Sequence, residues 1–299
     1  MTKTDLGSAR AKLRWAREHR SDLEKHIDAT FTNPENWAIM SADRDPDSGE
    51  HIFHINDVPD YSVFLEEISL CVGDVVHGLR GALDHLAWQV ANSHGAMSAT
   101  DARKIQFPIY ADPTTFWNNV GAVFYDPGDW AQFGAYQPFN GQNGRPDSYS
   151  GAYIHQLAHL QELSNADKHR QLSIVLLTSS RFTTVPVEGG HPPWLVRKDG
   201  ERTIDVTKVN EPNPHAAPPN FKHTSYLVEV GAEVVRFKMT SEFAEHSNIG
   251  VAGAVMPSVA LAERRPIVST LDRIAAFVQL IIDEFEERLR KDGRLIGPK

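Results

Sequence analysis

Cysteine is almost absent from this chain: Cys71 is the single one in 299 residues. One thiol cannot build a disulfide framework, and its simplest role is that of a small core residue in a reducing compartment. Long apolar runs are missing too, since none reaches the ~18 residues that a membrane span needs. The opening stretch, MTKTDLGSARAKLRWAREHRSDLEKH, is charged throughout and lacks the apolar segment of a signal peptide. These absences lead to the expectation of a cytoplasmic protein. Basic charge is in short supply as well, with 30 Lys and Arg against 39 Asp and Glu and a net charge of −9. Broad nonspecific binding to DNA or RNA needs a basic surface, so it is not expected, although a local basic pocket is compatible with this balance. The chain has no internal repeat, no low-complexity tract, no Ser nucleophile elbow and no Cys–His pair. Gly141, Gly144 and Gly151 fall in a coil without the spacing of a phosphate-cradling loop. No cofactor is expected.

The apolar share of 41% is ample for a core, and the length suits one large domain or two. Residues 5–30 read as a long charged helix with a thin apolar stripe of Leu6, Leu13, Ala16, Leu23 and Ile27. A short strand candidate follows at His51–Ile55, and a helix begins near Tyr61. Residues 95–150, rich in Gly, Pro, Asn, Asp and aromatics, read as a long irregular segment. Helices are expected over 152–163 and 166–179, the second unless its β-branched end is already a strand. From 180 to 260 the phrases RFTTVPVE, ERTIDVTKV, SYLVEV and EVVRFKMT alternate apolar and polar residues, and a Gly-Ala link between the last two signals a hairpin. Asn210–Asn220 reads as an exposed loop. Pro266–Lys291 is a strongly amphipathic helix with Pro266 in its first turn. The expected fold class is α+β: a helical bundle (1–179 plus 261–299) with an antiparallel sheet (180–260) inserted before the C-terminal helix.

The most informative stretch is Leu70 to Asn92, LCVGDVVHGLRGALDHLAWQVAN. At about 100° per residue, Val72, Val75, Val76, Leu79, Leu83, Leu86 and Val90 share one face of a helix. Asp74, His77, Arg80, Asp84, His85, Trp88 and Asn92 share the other, interleaved with Gly73, Gly78 and Gly81. Each glycine costs roughly 1 kcal/mol against Ala in a helix interior, so something packs closely there or chemistry happens there. Asp74, His77, Arg80 and Asp84 step by three, three and four residues and are neighbours. They are either an ion-pair ladder that holds the fold or the wall of a catalytic or ligand pocket.

A second cluster is Ser164-Asn165-Ala166-Asp167-Lys168-His169-Arg170. Ser164 with Asp167 resembles a capping box. Three cations in a first helical turn would face the positive end of the helix dipole, which suggests an anionic partner: Asp74, Asp84 or a ligand phosphate. The expectation is that the two segments touch, with Asp74 or Asp84 in salt-bridge reach of Lys168 or Arg170. A third constellation, His155, His159 and Glu162, has helical spacing that would suit a metal. Gln156 replaces the catalytic Glu of a zincin motif, and no metal is expected there.

The phrases LRGALDHLAWQ (79–89), QFPIY (106–110), YQPF (136–139) and LQELSNADKHRQL (160–172) resemble a bacterial protein family with LRxALDHL and LxxLSNxDKHR phrases, which implies that they belong together. Arg80-Gly-Ala-Leu-Asp-His85 also resembles the Arg-x4-His signature of the HEPN superfamily, small helical bundles of which many are metal-independent ribonucleases. That resemblance implies RNA as substrate, or another anionic ligand. It makes His85 a general acid or base on the 2′-hydroxyl and Arg80 the stabiliser of phosphate charge, with Asp84 and His169 beside them. Positions five apart point about 140° away from each other, so the same resemblance implies a homodimer with a composite site on the 70–92 helix. The alternatives are a non-catalytic binding or structural module whose Arg/Asp/His network fixes the fold, and a metal-dependent helical-bundle hydrolase.

Overall fold

The structure is a computed structural model that describes residues 4–49, 51–95, 99–121, 126–140, 155–169, 172–187, 195–198, 201–204, 222–223, 227–237, 250–261 and 265–295. The expected loop at 210–220 and the glycines at 141, 144 and 151 lie outside these residues. The architecture is α+β and mostly helical, with an antiparallel sheet completed before the last helix. The chain divides into two compact units. One comprises Met1–Glu24, Glu67–Leu172 and Ile267–Lys299; the other comprises Lys25–Glu66 and Ser173–Pro266. Among the described residues no helix is long and apolar enough to cross a membrane.

The helical unit is built on α1 (Gly7–Thr32) as far as Glu24, α2 (Ser62–Asn92) from Glu67, and α7 (Ile267–Lys291). Their apolar stripes are buried: Leu13 and Ala16 on α1, Val72 to Val90 on α2, Ile274 to Phe285 on α7. Between α2 and α7 the chain forms α3 (Ala99–Ala102), α4 (Pro113–Val120), α5 (Pro127–Ala135) and α6 (Gln156–His169). The segment expected to be irregular is therefore helical in part, and two Asp-Pro pairs explain why. Asp112 accepts from the Thr115 N–H and Asp126 from the Gly128 N–H, both at 2.6 Å, while Pro113 and Pro127 take first-turn positions where no N–H is needed. Phe107 meets Phe133 of α5 edge to face and Phe133 meets Phe285 at a tilt, with centroids 5.3 and 4.6 Å apart.

The sheet unit draws on more of the chain than residues 180–260. β1 (Ala38–Arg44) and β2 (His51–Asp57), from before α2, are strands of the same six-stranded sheet as β3 (Ile174–Val187), β6 (Lys222–His223), β7 (Glu233–Phe237) and β8 (Gly250–Leu261). The order is β3-β8-β1-β2-β7-β6; β4 (Leu195–Lys198) and β5 (Glu201–Ile204) form a separate pair. Ala38 and Met40 on β1 and Phe53 and Ile55 on β2 are alternate residues that bury one face, where Val234 joins them. The expected turn is present at Gly231, φ +88°. The arm before it pairs elsewhere: Leu227 bridges to Leu177 and the Val228 N–H donates to Leu176 O, so the chain entering β7 returns to edge strand β3. The segment from Ile174 is strand, not the end of a second helix. Pairing with Val259–Leu261 decides that β-branched stretch.

Candidate functional site

The polar face of α2 is two different surfaces. Arg80 and Asp84 turn toward α6 and the QFPIY segment. Arg80 donates from Nη2 to Phe107 O at 2.8 Å and from Nη1 to Gln161 Oε1 at 3.2 Å, and Nη2 lies 3.3 Å from Asp84 Oδ1. Asp84 Oδ1 in turn accepts the Phe107 N–H at 2.9 Å. The pair thus satisfies both backbone groups of a residue whose ring is buried. The Arg80 side chain is only 11% exposed, with its charge paired to Asp84 and one donor on each Nη engaged inside the chain.

The same network gathers the four phrases of the resemblance. Gln137, fully buried, donates from Nε2 to Pro108 O at 2.8 Å and to Phe133 O at 3.0 Å, and its Oε1 accepts the Tyr110 N–H at 2.9 Å. Gln161 donates to Asn165 Oδ1 at 2.7 Å. Residues 107–110 carry backbone groups with no sheet or helix to pair with. Arg80, Asp84 and Gln137 supply the partners.

The other surface faces outward. Asp74, His77 and His85 are exposed, and among the described residues none makes a hydrogen bond or ion pair. Trp88 is 39% exposed. Helix α1 flanks this stripe, with Trp15 44% exposed and Lys12 Nζ 5.0 Å from the Trp15 ring centroid.

The three glycines have three environments. A Cβ on Gly73 would overlap the Asp167 carboxylate of α6, and one on Gly78 would come 2.9 Å from Ala16 Cβ of α1. These two are the contact points of neighbouring helices. A Cβ on Gly81 would meet only Lys12 Cδ at 3.8 Å, an ordinary contact. The chain's own packing does not require Gly81 to be glycine.

The second cluster sits differently from its sequence reading. Ser164 is buried in the middle of α6 rather than at a helix start, so it is no capping box, and Lys168 and His169 fall in the last turn. There the helix dipole favours cations, so the placement needs no anionic ligand. The two segments do touch, at Gly73 and Asp167. The expected salt bridge is absent among the described residues: Asp84 pairs with Arg80, while Asp74 and Lys168 have no ion-pair partner. Arg170 and the His169 side chain lie outside the described residues.

His155 and His159 are buried, whereas Glu162 is exposed. His155 precedes α6 and accepts the Leu157 N–H at Nδ1, 3.2 Å away, and its ring stands perpendicular to Phe277 with centroids 5.3 Å apart. Burial pushes its pKa down to about 4. Among the described residues no three His, Cys, Asp or Glu side chains converge on a point that could hold a metal.

The most deeply buried polar cluster was not singled out in the sequence. Arg294, 1% exposed, follows α7 in a turn with Gly293 at φ +67°. Its Nη1 and Nη2 donate to the two Asp129 oxygens at 3.0 and 2.9 Å, and its Nε donates to Ser93 Oγ at 2.9 Å. His94 Nε2 lies 2.8 Å from Asp129 Oδ2 and 2.6 Å from Arg294 Nη2. Arg288 reaches the other Asp129 oxygen at 3.2 Å. The hints were thin: Asp129 two residues after an Asp-Pro cap, and an isolated Asp-Gly-Arg after an amphipathic helix.

Comparison with protein-family models, with curated proteins and with solved structures finds no match to this chain.

Proposed function

We propose that this protein is a non-catalytic binding module in which the Arg80–Asp84 pair is architectural. The observation that carries this reading is the engagement of the Arg80 guanidinium with Phe107 O, Gln161 and Asp84. An arginine that stabilises a phosphate in a transition state needs donors aimed at the substrate, and here one donor on each Nη is aimed at the fold and the charge is paired with Asp84. The binding surface is the outward stripe of α2 with its α1 flank: His77, Gly81, His85 and Trp88 beside Lys12 and Trp15. Half-exposed indoles stack bases, and Lys12 and the two imidazoles suit phosphates, so short single-stranded RNA is the proposed occupant. The acidic net charge confines such binding to this patch.

The test titrates purified protein with a short single-stranded RNA in the presence of chelator, reading tryptophan fluorescence and RNA length together. Quenching without cleavage, weakened in Trp88→Ala and Lys12→Ala, supports the proposal. Chelator-resistant cleavage that disappears in His85→Ala with the fold intact would establish the HEPN-like ribonuclease reading instead, for which the exposure of His85 is the favouring observation. No response to RNA overturns the choice of occupant.

A further inference from the structure

The outward stripe of α2 is sorted by charge along the helix. Asp74, His77, Gly81, His85 and Trp88 follow one another at steps of three and four residues, so they form one column. Helix α1 runs antiparallel beside it, since Ala16 faces Gly78 while Lys12 faces Gly81. Lys12 fills the gap that Gly81 leaves in the column, its Cδ 3.8 Å from where a Cβ would stand. Measured from Asp74 along the axis, His77 stands at about 4.5 Å, Lys12 at about 10.5 Å, His85 at about 16.5 Å and Trp88 at about 21 Å. Three donor side chains thus recur at intervals of about 6 Å, a step that successive phosphates of an extended strand can match. The indole ends the row with a face for a base.

The other end of the column is acidic. Asp74 is exposed and, among the described residues, makes no hydrogen bond or ion pair. Burial first, and then the carboxylates of Asp74, Glu67 and Asp22, push the Cys71 thiol pKa up, so all three acids lie within electrostatic reach of that one side chain. A phosphate at this end would stand against those carboxylates and lose affinity. A ribose that carries no further phosphate would not. Its 2′- and 3′-hydroxyls donate, and a carboxylate with two open oxygens accepts both.

We propose, resting on the RNA reading above, that this column takes the 3′ end of a strand: the terminal diol on Asp74, the preceding phosphates on His77, Lys12 and His85, and a base on Trp88. The strand runs from Asp74 toward its own 5′ end. A 5′ terminus offers no adjacent pair of hydroxyls, and this sets the polarity. The site is closed to RNA that continues past Asp74 or ends there in a phosphate.

Tryptophan fluorescence titration of the full chain, at one ionic strength, with oligoadenylates of about six nucleotides tests it. One probe ends in a 3′-hydroxyl, one in a 3′-phosphate, and one keeps the 3′-hydroxyl and adds a 5′-phosphate. The 3′-hydroxyl form is expected to bind about tenfold more tightly than the 3′-phosphate form, since a terminal phosphate sets close to two negative charges against Asp74. The 5′-phosphate should cost nothing. In Asp74→Asn, an exposed change that keeps an acceptor and removes the charge, the preference against the 3′-phosphate should vanish. Wild-type binding that ignores the 3′ group, or a preference that survives in Asp74→Asn, overturns the assignment of the 3′ end and leaves RNA as the occupant. Failure of every probe to bind overturns RNA as the occupant, and this inference with it.

Discussion

Two of the arginine–aspartate pairs in the helical unit, Arg80–Asp84 and Arg294–Asp129, do similar work from opposite starting points. Arg80 and Asp84 are one helical turn apart, 11% and 32% exposed, and stand in the most conspicuous phrase of the sequence. Arg294 and Asp129 are 165 residues apart, 2% and 1% exposed, and stand in phrases that draw no notice. The first pair holds a neighbouring backbone segment. The second joins the end of α2, the start of α5 and the turn after α7. Conspicuous spacing reports short-range geometry, because only residues three or four apart on a helix reveal their proximity in one dimension. Structural commitment follows burial and the number of elements joined, which spacing does not encode.

The largest effect is therefore expected at the inconspicuous pair. Arg294→Ala should cost about 3–5 kcal/mol in denaturant unfolding, since it strips a buried carboxylate of its bidentate partner. The double variant Arg294→Met with Asp129→Leu should lose less than Arg294→Ala alone, because it also removes a buried carboxylate left with only Arg288 and His94 beside it. A loss at Arg80→Ala equal to or greater than that at Arg294→Ala would break the comparison. Arg80→Ala is expected to cost about 2 kcal/mol, with the Phe107 amide losing exchange protection first.

Acid adds a second axis. The His155 imidazole is held neutral in the fold with its pKa near 4, while an unfolded imidazole titrates near 6.5. Its contribution is complete above about pH 6.5 and is lost as pH falls toward 4, on the order of 2 kcal/mol in all. The slope of unfolding free energy against pH should flatten in His155→Phe. A slope unchanged by that substitution would assign the acid sensitivity elsewhere.

The glycines of α2 give the smallest and most discriminating set. Gly78→Ala should destabilise by about 1–2 kcal/mol, since the Cβ and backbone of Ala16 occupy the space a methyl needs, whereas Gly73→Ala should cost less, because the exposed Asp167 carboxylate can rotate aside. Gly81→Ala should stabilise by up to about 1 kcal/mol, because the helix gains propensity and nothing is displaced. Thermal midpoints of the three variants are the measurement. If Gly81→Ala is stable but binds RNA less well, the glycine serves an external partner.

The long helices were legible because their apolar residues recur on one face over many turns. The position of the polar stripe on α2 was legible for the same reason, but its division into an inward pair and an outward surface was not. Arg80 and His77 look alike on a wheel, and only the placement of Phe107 and Gln161 separates them. Ser164-Asn165-Ala166-Asp167 misled because a capping phrase inside a continuous helix is indistinguishable from one at its start. The partner of β2 was missed because AIMSADR at 38–44 is short and half polar. β8 was missed because GVAGAVMPSVAL has Gly, Ala and Pro where strands prefer branched residues. Its pairing with β1 ends at Val255, so Pro257 removes no bond on that side.

The central claim is that Arg80 holds the fold and does not act on a substrate. It is tested most directly by measuring unfolding free energy and RNA cleavage side by side for the wild type, Arg80→Ala and His85→Ala. The account predicts a stability loss confined to Arg80→Ala, a change within about 0.5 kcal/mol for the exposed His85→Ala, and no cleavage by any of the three. An Arg80→Ala protein as stable as the wild type, with a wild-type cleavage activity that both substitutions abolish, would contradict it.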